Sequence, residues 1–295
     1  MTSARIISLA LVLLSAFTHA LMSFLIKRSG DKQIFSWLYN FCTLLIFFPV
    51  PVYYAVTEPE VFGAIPITIL LVGMLHYAYL YTFARALHDG DLSLVYPIIR
   101  SAPAFVLVAG VLILHEQVSV LGASGVLLTV LGVYVLCVRG SGLRSAFSPM
   151  KDAIRNESTR FALLTALATT GFSLADKVLV ASVPPALYTY LLHLMVTLYM
   201  TPQIVVSKPR AALWEEVRAQ LRSLFACGFL DPFGYFLVLA AFRVDKVSYV
   251  LGMRQVSIII AVMMGGLLLK ESGMRQRLIA SAIIFLGILC ISFAK

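Results

Sequence analysis

Charge is what this sequence has least of. Asp, Glu, Lys and Arg make up 13% of its 295 residues, against 60% that are hydrophobic, where a soluble domain is roughly a quarter charged. That shortage excludes an ordinary soluble fold. Acidic residues are the rarer sign, 14 against 23 Lys and Arg, for a net charge of +9. The excess does not mark a nucleic-acid-binding face, because the basic residues fall mainly in short connectors between apolar runs, where they act as topology signals. Also missing are a paired-acid metal motif, a nucleotide-binding loop, a nucleophile elbow and any soluble segment able to supply chemistry, so no catalytic residue, metal ligand or cofactor is expected. Cysteine is sparse. Cys42, Cys137, Cys227 and Cys290 lie in or at the ends of separate apolar runs without metal-binding spacing, and read as packing residues.

What the chain has instead is long apolar runs. Ile6–Ile26, Gln33–Thr57, Val61–Ala84 and Gln117–Val138 are bounded by charged residues. Each reaches or passes the ~20 residues a helix needs to cross the hydrocarbon core. The pattern predicts an all-α integral membrane bundle of ten transmembrane helices, at 4–26, 34–56, 63–87, 92–114, 118–138, 159–181, 185–206, 218–242, 246–269 and 275–294. Arg5, the first apolar run and Thr18-His19-Ala20 resemble a signal peptide. The segment has a counterpart deep in the chain, however, and is read as the first span.

The longest connector, rich in Gly, Ser and charge, separates a first five-helix repeat (1–140) from a second (159–295), with 141–158 between them. Sliding the chain by 155 residues brings Arg5 onto Arg160, Gly73 onto Gly228 and Ser93 onto Ser248. Gly110-x-Leu112-x-Leu114-x-Glu116 falls on Gly265-x-Leu267-x-Leu269-x-Glu271, and Gly132 on Gly287. Five spans per repeat is an odd number, so the second repeat must cross the membrane in the opposite sense, the inverted arrangement of many secondary transporters. Lys27, Arg28, Lys32, Lys208, Arg210, Lys270 and most other basic residues sit in the connectors that follow odd-numbered spans. The opposite set carries Arg5, Arg243, Lys246 and Lys295. The bias predicts both termini outside.

These residues resemble the drug/metabolite transporter superfamily, in its EamA-type ten-span branch. The resemblance rests on Gly110 to Glu116 with Gly122, Gly125 and Gly132, on their echo from Gly265 to Gly287, and on Gly90-Asp91-Leu92-Ser93-Leu94-Val95-Tyr96-Pro97 with Arg100. His19-Ala20, Lys27-Arg28 and Asp31-Lys32 are similar to one subset of that branch. The resemblance implies a central cavity, alternating access and small metabolite substrates. It also implies no enzymatic activity. Many relatives carry Gly-Glu-Arg where this chain has His115-Glu116-Gln117, a Trp-Gly pair in place of Thr18-His19, and termini inside.

An ionisable group inside hydrocarbon calls for a partner, water or a ligand. The candidates are His19, His76, Arg100, Asp176, Lys177, His193, Asp231 and Arg254. Arg100 and Arg254 are read as the anion-binding pair, since a guanidinium fork suits carboxylate, phosphate or phosphonate; the alternative is permanent pairing or snorkelling. Pro97, Pro103 and Gly252 predict bends beside them. His76 and Asp231, related by the repeat, are either a proton- or amine-binding pair or a structural hydrogen bond between the halves, and Asp231-Pro232 with Gly234 predicts a local helix break. Asp231 and Asp176 are the candidates for proton coupling, Tyr96 and Tyr235 for the cavity wall. Lys177 reads as snorkelling, His19 and His193 as polar packing, Glu116 and Glu271 as structural ties.

The expected function is a secondary transporter of a small anionic or zwitterionic metabolite, amino acid or phosphonate-like, in a bacterial inner membrane. Its partners are a small-molecule substrate and the lipid bilayer but no nucleic acid, and it acts as a monomer or homodimer. The rival readings are an exporter of organic cations, a membrane-embedded enzyme or a scaffold.

Overall fold

The computed structural model describes residues 3–27, 29–63, 65, 67–89, 92–137, 156–260 and 274–294. Among these residues every regular element is a helix. Before the central connector come α1 (Ser3–Lys27), α2 (Lys32–Ile46), α3 (Pro49–Thr57), α4 (Glu60–Gly63), α5 (Thr68–Asp89), α6 (Leu92–Arg100), α7 (Ala102–Ile113) and α8 (Val120–Cys137). After it come α9 (Glu157–Leu179), α10 (Pro185–Ser207), α11 (Arg210–Val244), α12 (Val247–Met253) and α13 (Met274–Phe293). The stretch from Gly265 to Glu271 and most of the central connector lie outside the described residues.

Local chemistry explains most of the boundaries. Asp31 caps α2, its carboxylate accepting the amides of Gln33 and Ile34 at 2.9 and 3.2 Å. Asn156 caps α9 through the amide of Ser158 at 3.0 Å. Pro49 and Pro185 sit in the first turns of α3 and α10, where a missing N–H matters least. The predicted fourth span is broken at Ser101, just before Pro103, into α6 and α7. The ninth is broken at Arg254 and Gln255, with helix resuming at 256–260. Both bends fall beside the arginines, as Pro97, Pro103 and Gly252 predict.

The break expected at Asp231-Pro232 is absent. α11 runs through it and leaves helical geometry only at Gln220. Proline there removes the amide that would reach the Gly228 carbonyl, and the Thr43 hydroxyl donates to that oxygen at 2.9 Å instead. Gly234 is there for contact rather than bending, since a Cβ on it would lie 2.4 Å from the Thr18 hydroxyl.

Among the described residues, seven helical segments are long and apolar enough to cross a membrane: Arg5–Met22, Lys32–Thr57, Val95–Ile113, Glu157–Leu179, Pro185–Ser207, Arg210–Val244 and Gln276–Phe293. Val120–Leu136 and Val247–Ile260 are shorter apolar helices. The outer surface is apolar too. Phe17, Leu71, Leu112, Leu164, Phe229 and Leu286 are all exposed, which water would punish and lipid tails accept.

Helices from before the central connector pack mostly against helices from after it. α8 lies along α13, α1 along α11, and α5 along α9, while α10 touches α2, α5 and α11. The glycines mark the closest crossings. A Cβ on Gly125 would meet the Gly287 carbonyl at 2.7 Å, and one on Gly132 would meet the Ala280 carbonyl at 3.0 Å. A Cβ on Gly73 would strike Met195 on α10, and one on its repeat counterpart Gly228 would strike Cys42 on α2.

Candidate functional site

Asp176, on α9, is the most enclosed charge of the described bundle, with no accessible surface. Two tyrosines hold it. Tyr188 on α10 donates to Oδ1 at 2.5 Å, and Tyr235 on α11 donates to Oδ2. His76 on α5 faces the same group, with Nε2 3.0 Å from the Tyr235 hydroxyl and 3.7 Å from Asp176 Oδ2. Its other nitrogen, Nδ1, sits 3.0 Å from the Val72 carbonyl, which can only accept, so Nδ1 carries a hydrogen. Phe172 stacks on the imidazole at 3.9 Å between centroids, fixing the ring plane.

Proton counting gives this trio two arrangements. The Tyr235 hydroxyl has one hydrogen. If it points at Asp176, His76 Nε2 must donate to the tyrosine oxygen, so the imidazole is cationic and the carboxylate anionic. If it points at His76, the imidazole is neutral and the carboxyl is protonated. The two differ by moving hydrogens along existing hydrogen bonds, with no side chain displaced. The carboxylate partner of His76 is thus Asp176, not Asp231 as the repeat pairing predicts.

Asp231 lies elsewhere in the same interior. It hydrogen-bonds Tyr39 and acts electrostatically on His76, His193 and Arg254. His193 donates from Nδ1 to the Asn40 side-chain oxygen at 2.7 Å, and Asn40 is oriented by its own donation to the Ser36 carbonyl at 2.8 Å. His193 Nε2 is buried without a protein partner among the described residues.

Arg254 follows the end of α12, and Arg100 ends α6. Arg100 donates from Nε to the Tyr96 hydroxyl at 3.1 Å, with its guanidinium 5.2 Å from that ring. Its carbonyl, at the break before α7, accepts from Gln255 Nε2 at 2.9 Å. Gln255 is the residue that the repeat places opposite Arg100. Both arginines act electrostatically on His19 and on Tyr79. His19, Tyr79, Tyr235 and Arg254 lie deep among the helices and are only partly exposed. Among the described residues no carboxylate lies within salt-bridge distance of Arg254.

Sequence reasoning thus named most of this interior but not its wiring. Tyr188, Tyr39, Tyr79, Asn40 and Phe172 are contacts it did not select, and His193, read as polar packing, hydrogen-bonds Asn40. Lys177 does not snorkel. Its ammonium donates to the carbonyls of Phe242 and, at 2.7 Å, Asp245 at the end of α11. Arg243 returns the contact, donating to Val180 and Val183 carbonyls at 2.6 and 3.1 Å beyond α9. Glu116 is structural, as expected, accepting the Val247 amide at 2.7 Å and the Ser248 hydroxyl at 3.0 Å at the start of α12. Glu271 lies outside the described residues.

No curated protein matches the chain by sequence. A solved structure described only as "Crystal structure of protein" superposes with a TM-score of 0.75 at 14% identity, covering 98% of this chain and 97% of that one; this likeness concerns the fold. Residues 6–138 match the model of the EamA-like transporter family. With its apolar helices and lipid-compatible surface, the chain is a multi-pass integral membrane protein whose residues 6–138 are similar to the EamA-like transporter family.

Proposed function

We propose that this protein is a secondary transporter of a small anionic or zwitterionic metabolite, amino acid or phosphonate-like, working by alternating access. The observation that carries the reading is Arg254: a partly exposed cation deep in the bundle, near a second arginine, with no ion-pair partner among the described residues. An unpaired guanidinium so deep in a bundle is unfavourable until an anion joins it. Arg100 supplies the second fork, and Tyr79, Tyr96 and Tyr235 line the approach. Asp231 and the bare His193 Nε2 are acceptors suited to an amine on the same solute.

Coupling is assigned to His76, Tyr235 and Asp176: the two hydrogen arrangements hold the same protons and pass one between imidazole and carboxylate, and coupling is the gain of one further proton by this trio from one side of the membrane and its loss to the other. The architecture proposed is ten spans in two inverted five-helix repeats. Its support is that contacts come in exchanged pairs: α1 with α11 and α5 with α9, Gly73 on α10 and Gly228 on α2, Gly125 on Gly287 and Gly132 on Ala280. The membrane is proposed to be a bacterial plasma membrane, with the termini outside and the protein acting as a monomer or homodimer. The test is flux into empty liposomes. Purified protein should accumulate a radiolabelled acidic or zwitterionic solute under an inward proton gradient, and Arg254→Ala should abolish that uptake while the protein stays folded. Uptake limited to organic cations would overturn the reading.

A further inference from the structure

α11 is 35 residues long, about 52 Å at 1.5 Å per residue, whereas the hydrocarbon core needs only ~20 residues. Its first ten residues therefore stand beyond the apolar layer. The backbone marks the boundary at Gln220, where φ is −126° and ψ 16°.

Glu216 fixes which side of this projecting segment faces the protein. It is 8% exposed, and its carboxylate accepts the amides of Gly30 and Asp31 at 3.3 and 3.2 Å. Trp214 and Arg218 lie two residues to either side of it, about 200° round the helix, and so point away from the protein. Trp214 is 65% exposed. Arg210, Arg218 and Arg222 are exposed as well, and the four side chains follow one another at intervals of four, along one face. Ala211, Trp214, Glu215 and Arg218 line a shallow cleft of about 360 Å³. Glu215 offsets one of the three positive charges and leaves the stripe cationic.

What covers this face is shown by its continuation. Leu221, Phe225 and Phe229 carry the stripe into the membrane-spanning part of α11, and they are 49, 46 and 46% exposed. Residues so apolar, on the outside of a spanning helix, contact lipid tails. The headgroups of those same lipids must then lie one to three turns back along the helix, level with Arg222, Arg218 and Trp214. Tryptophan favours that depth, and a guanidinium fork matches two oxygens of a phosphate. We propose that the Arg210–Arg222 face of α11 is a binding surface for anionic phospholipid headgroups, with Arg218 and Arg222 on the phosphate and Trp214 beside it at the interface.

The test uses the full chain with Trp37→Phe, which leaves Trp214 as the one remaining tryptophan of two. The protein is reconstituted in phosphatidylcholine vesicles that contain an equal mole fraction of either brominated phosphatidylcholine or brominated phosphatidylglycerol. Preferential binding predicts at least twofold stronger quenching of Trp214 by the brominated anionic lipid. The preference should disappear near 1 M salt, where the Debye length falls to about 3 Å. It should also disappear in Arg210→Gln/Arg218→Gln/Arg222→Gln, and survive in the corresponding triple Lys variant. Equal quenching by the two lipids in the parent protein, which needs no variant to fold, overturns the proposal. So does an absence of quenching, which would lift the segment clear of the bilayer, and so does a preference that persists in the Gln variant.

Discussion

His76 and Asp176 meet across a single hydroxyl, that of Tyr235, with the imidazole Nε2 3.7 Å from the carboxylate. Removing the hydroxyl breaks the hydrogen-bonded path without removing either titratable group. Tyr235→Phe should therefore abolish concentrative uptake driven by a pH gradient, while exchange of labelled substrate at equal pH survives. Asp176→Asn should do the same. Gradient-driven uptake and exchange are measured side by side in one liposome preparation, and unchanged accumulation in both variants removes the trio from coupling.

The arginines allow a cleaner separation of binding from stability. Lysine keeps the charge of Arg254 but not the two-point geometry. A hydrogen bond to a charged group contributes about 1.5–3 kcal/mol, so Arg254→Lys and Arg100→Lys should weaken binding of an acidic substrate roughly 10- to 150-fold. Melting temperature should stay near that of the parent. Normal affinity in both variants would sink the anion-binding assignment, and a large loss of melting temperature would make the arginines structural.

Much of this interior could be read from residue types alone, because ionisable groups in apolar runs are conspicuous. Their pairing could not. His76 and Asp231 are counterparts under the 155-residue shift, and counterparts under a two-fold relation touch only where they lie near the axis. Arg100 and Gln255 are such a pair, and they do touch; His76 and Asp231 do not make that contact. The true partner, Asp176, has no counterpart role in the other half. Tyr188 reaches it across the turn from α9 to α10, a contact set by how that turn folds rather than by spacing. The repeat glycines were legible for a different reason: helices that cross at backbone distance tolerate no side chain, so the residue type records the geometry.

His115 offers a test of a local departure. It is the one non-glycine residue with positive φ among the described residues, at 53°, in the turn before Glu116. A left-handed conformation disfavours a side chain by about 1–2 kcal/mol, part of which glycine returns as unfolded-state entropy. His115→Gly should raise stability by roughly 1 kcal/mol, seen as a melting temperature about 2 °C higher, whereas His115→Ala, which retains the strain, should not.

Near the opposite end of the bundle, Lys208 lies 2.5 Å from Asp31. Partial burial pushes the Asp31 carboxyl upward, but Lys208 and the amides of Ile34 and Gln33 outweigh it and hold the group below the usual aspartate range. A depressed carboxylate contributes stability above its unfolded pKa and loses it as pH falls through the folded value. The contribution should therefore be full at neutral pH and fade below about pH 4. With both side chains partly exposed it should stay under about 1 kcal/mol. Lys208→Met should flatten the acid side of the melting-temperature profile, and an unchanged profile would show that the pair contributes nothing.

Topology can be tested with single cysteines at Ser3 and Ser207 in a background lacking the native cysteines. An impermeant maleimide added to intact cells should label position 3 and spare position 207. The reverse pattern inverts the protein in its membrane.

The end of the bundle around Asp245 is fastened in an unequal way. Lys177, Arg243 and Lys246 all donate to backbone carbonyls there, whereas the Arg5 guanidinium meets the Asp245 carboxylate at 3.1 Å and also donates to the Ile291 carbonyl. A carbonyl carries no net charge, and water can take over its hydrogen bond at a net difference of about 1 kcal/mol. Parting α9 from α11 therefore exchanges most of these bonds with incoming water, whereas parting α1 from α11 exposes a charge pair. Turnover should be governed accordingly. If the proposed transport holds, cycles per second ought to respond strongly to the loss of Arg5 and only weakly to the loss of Lys177, which makes the Arg5–Asp245 pair the slower of the two fastenings to part.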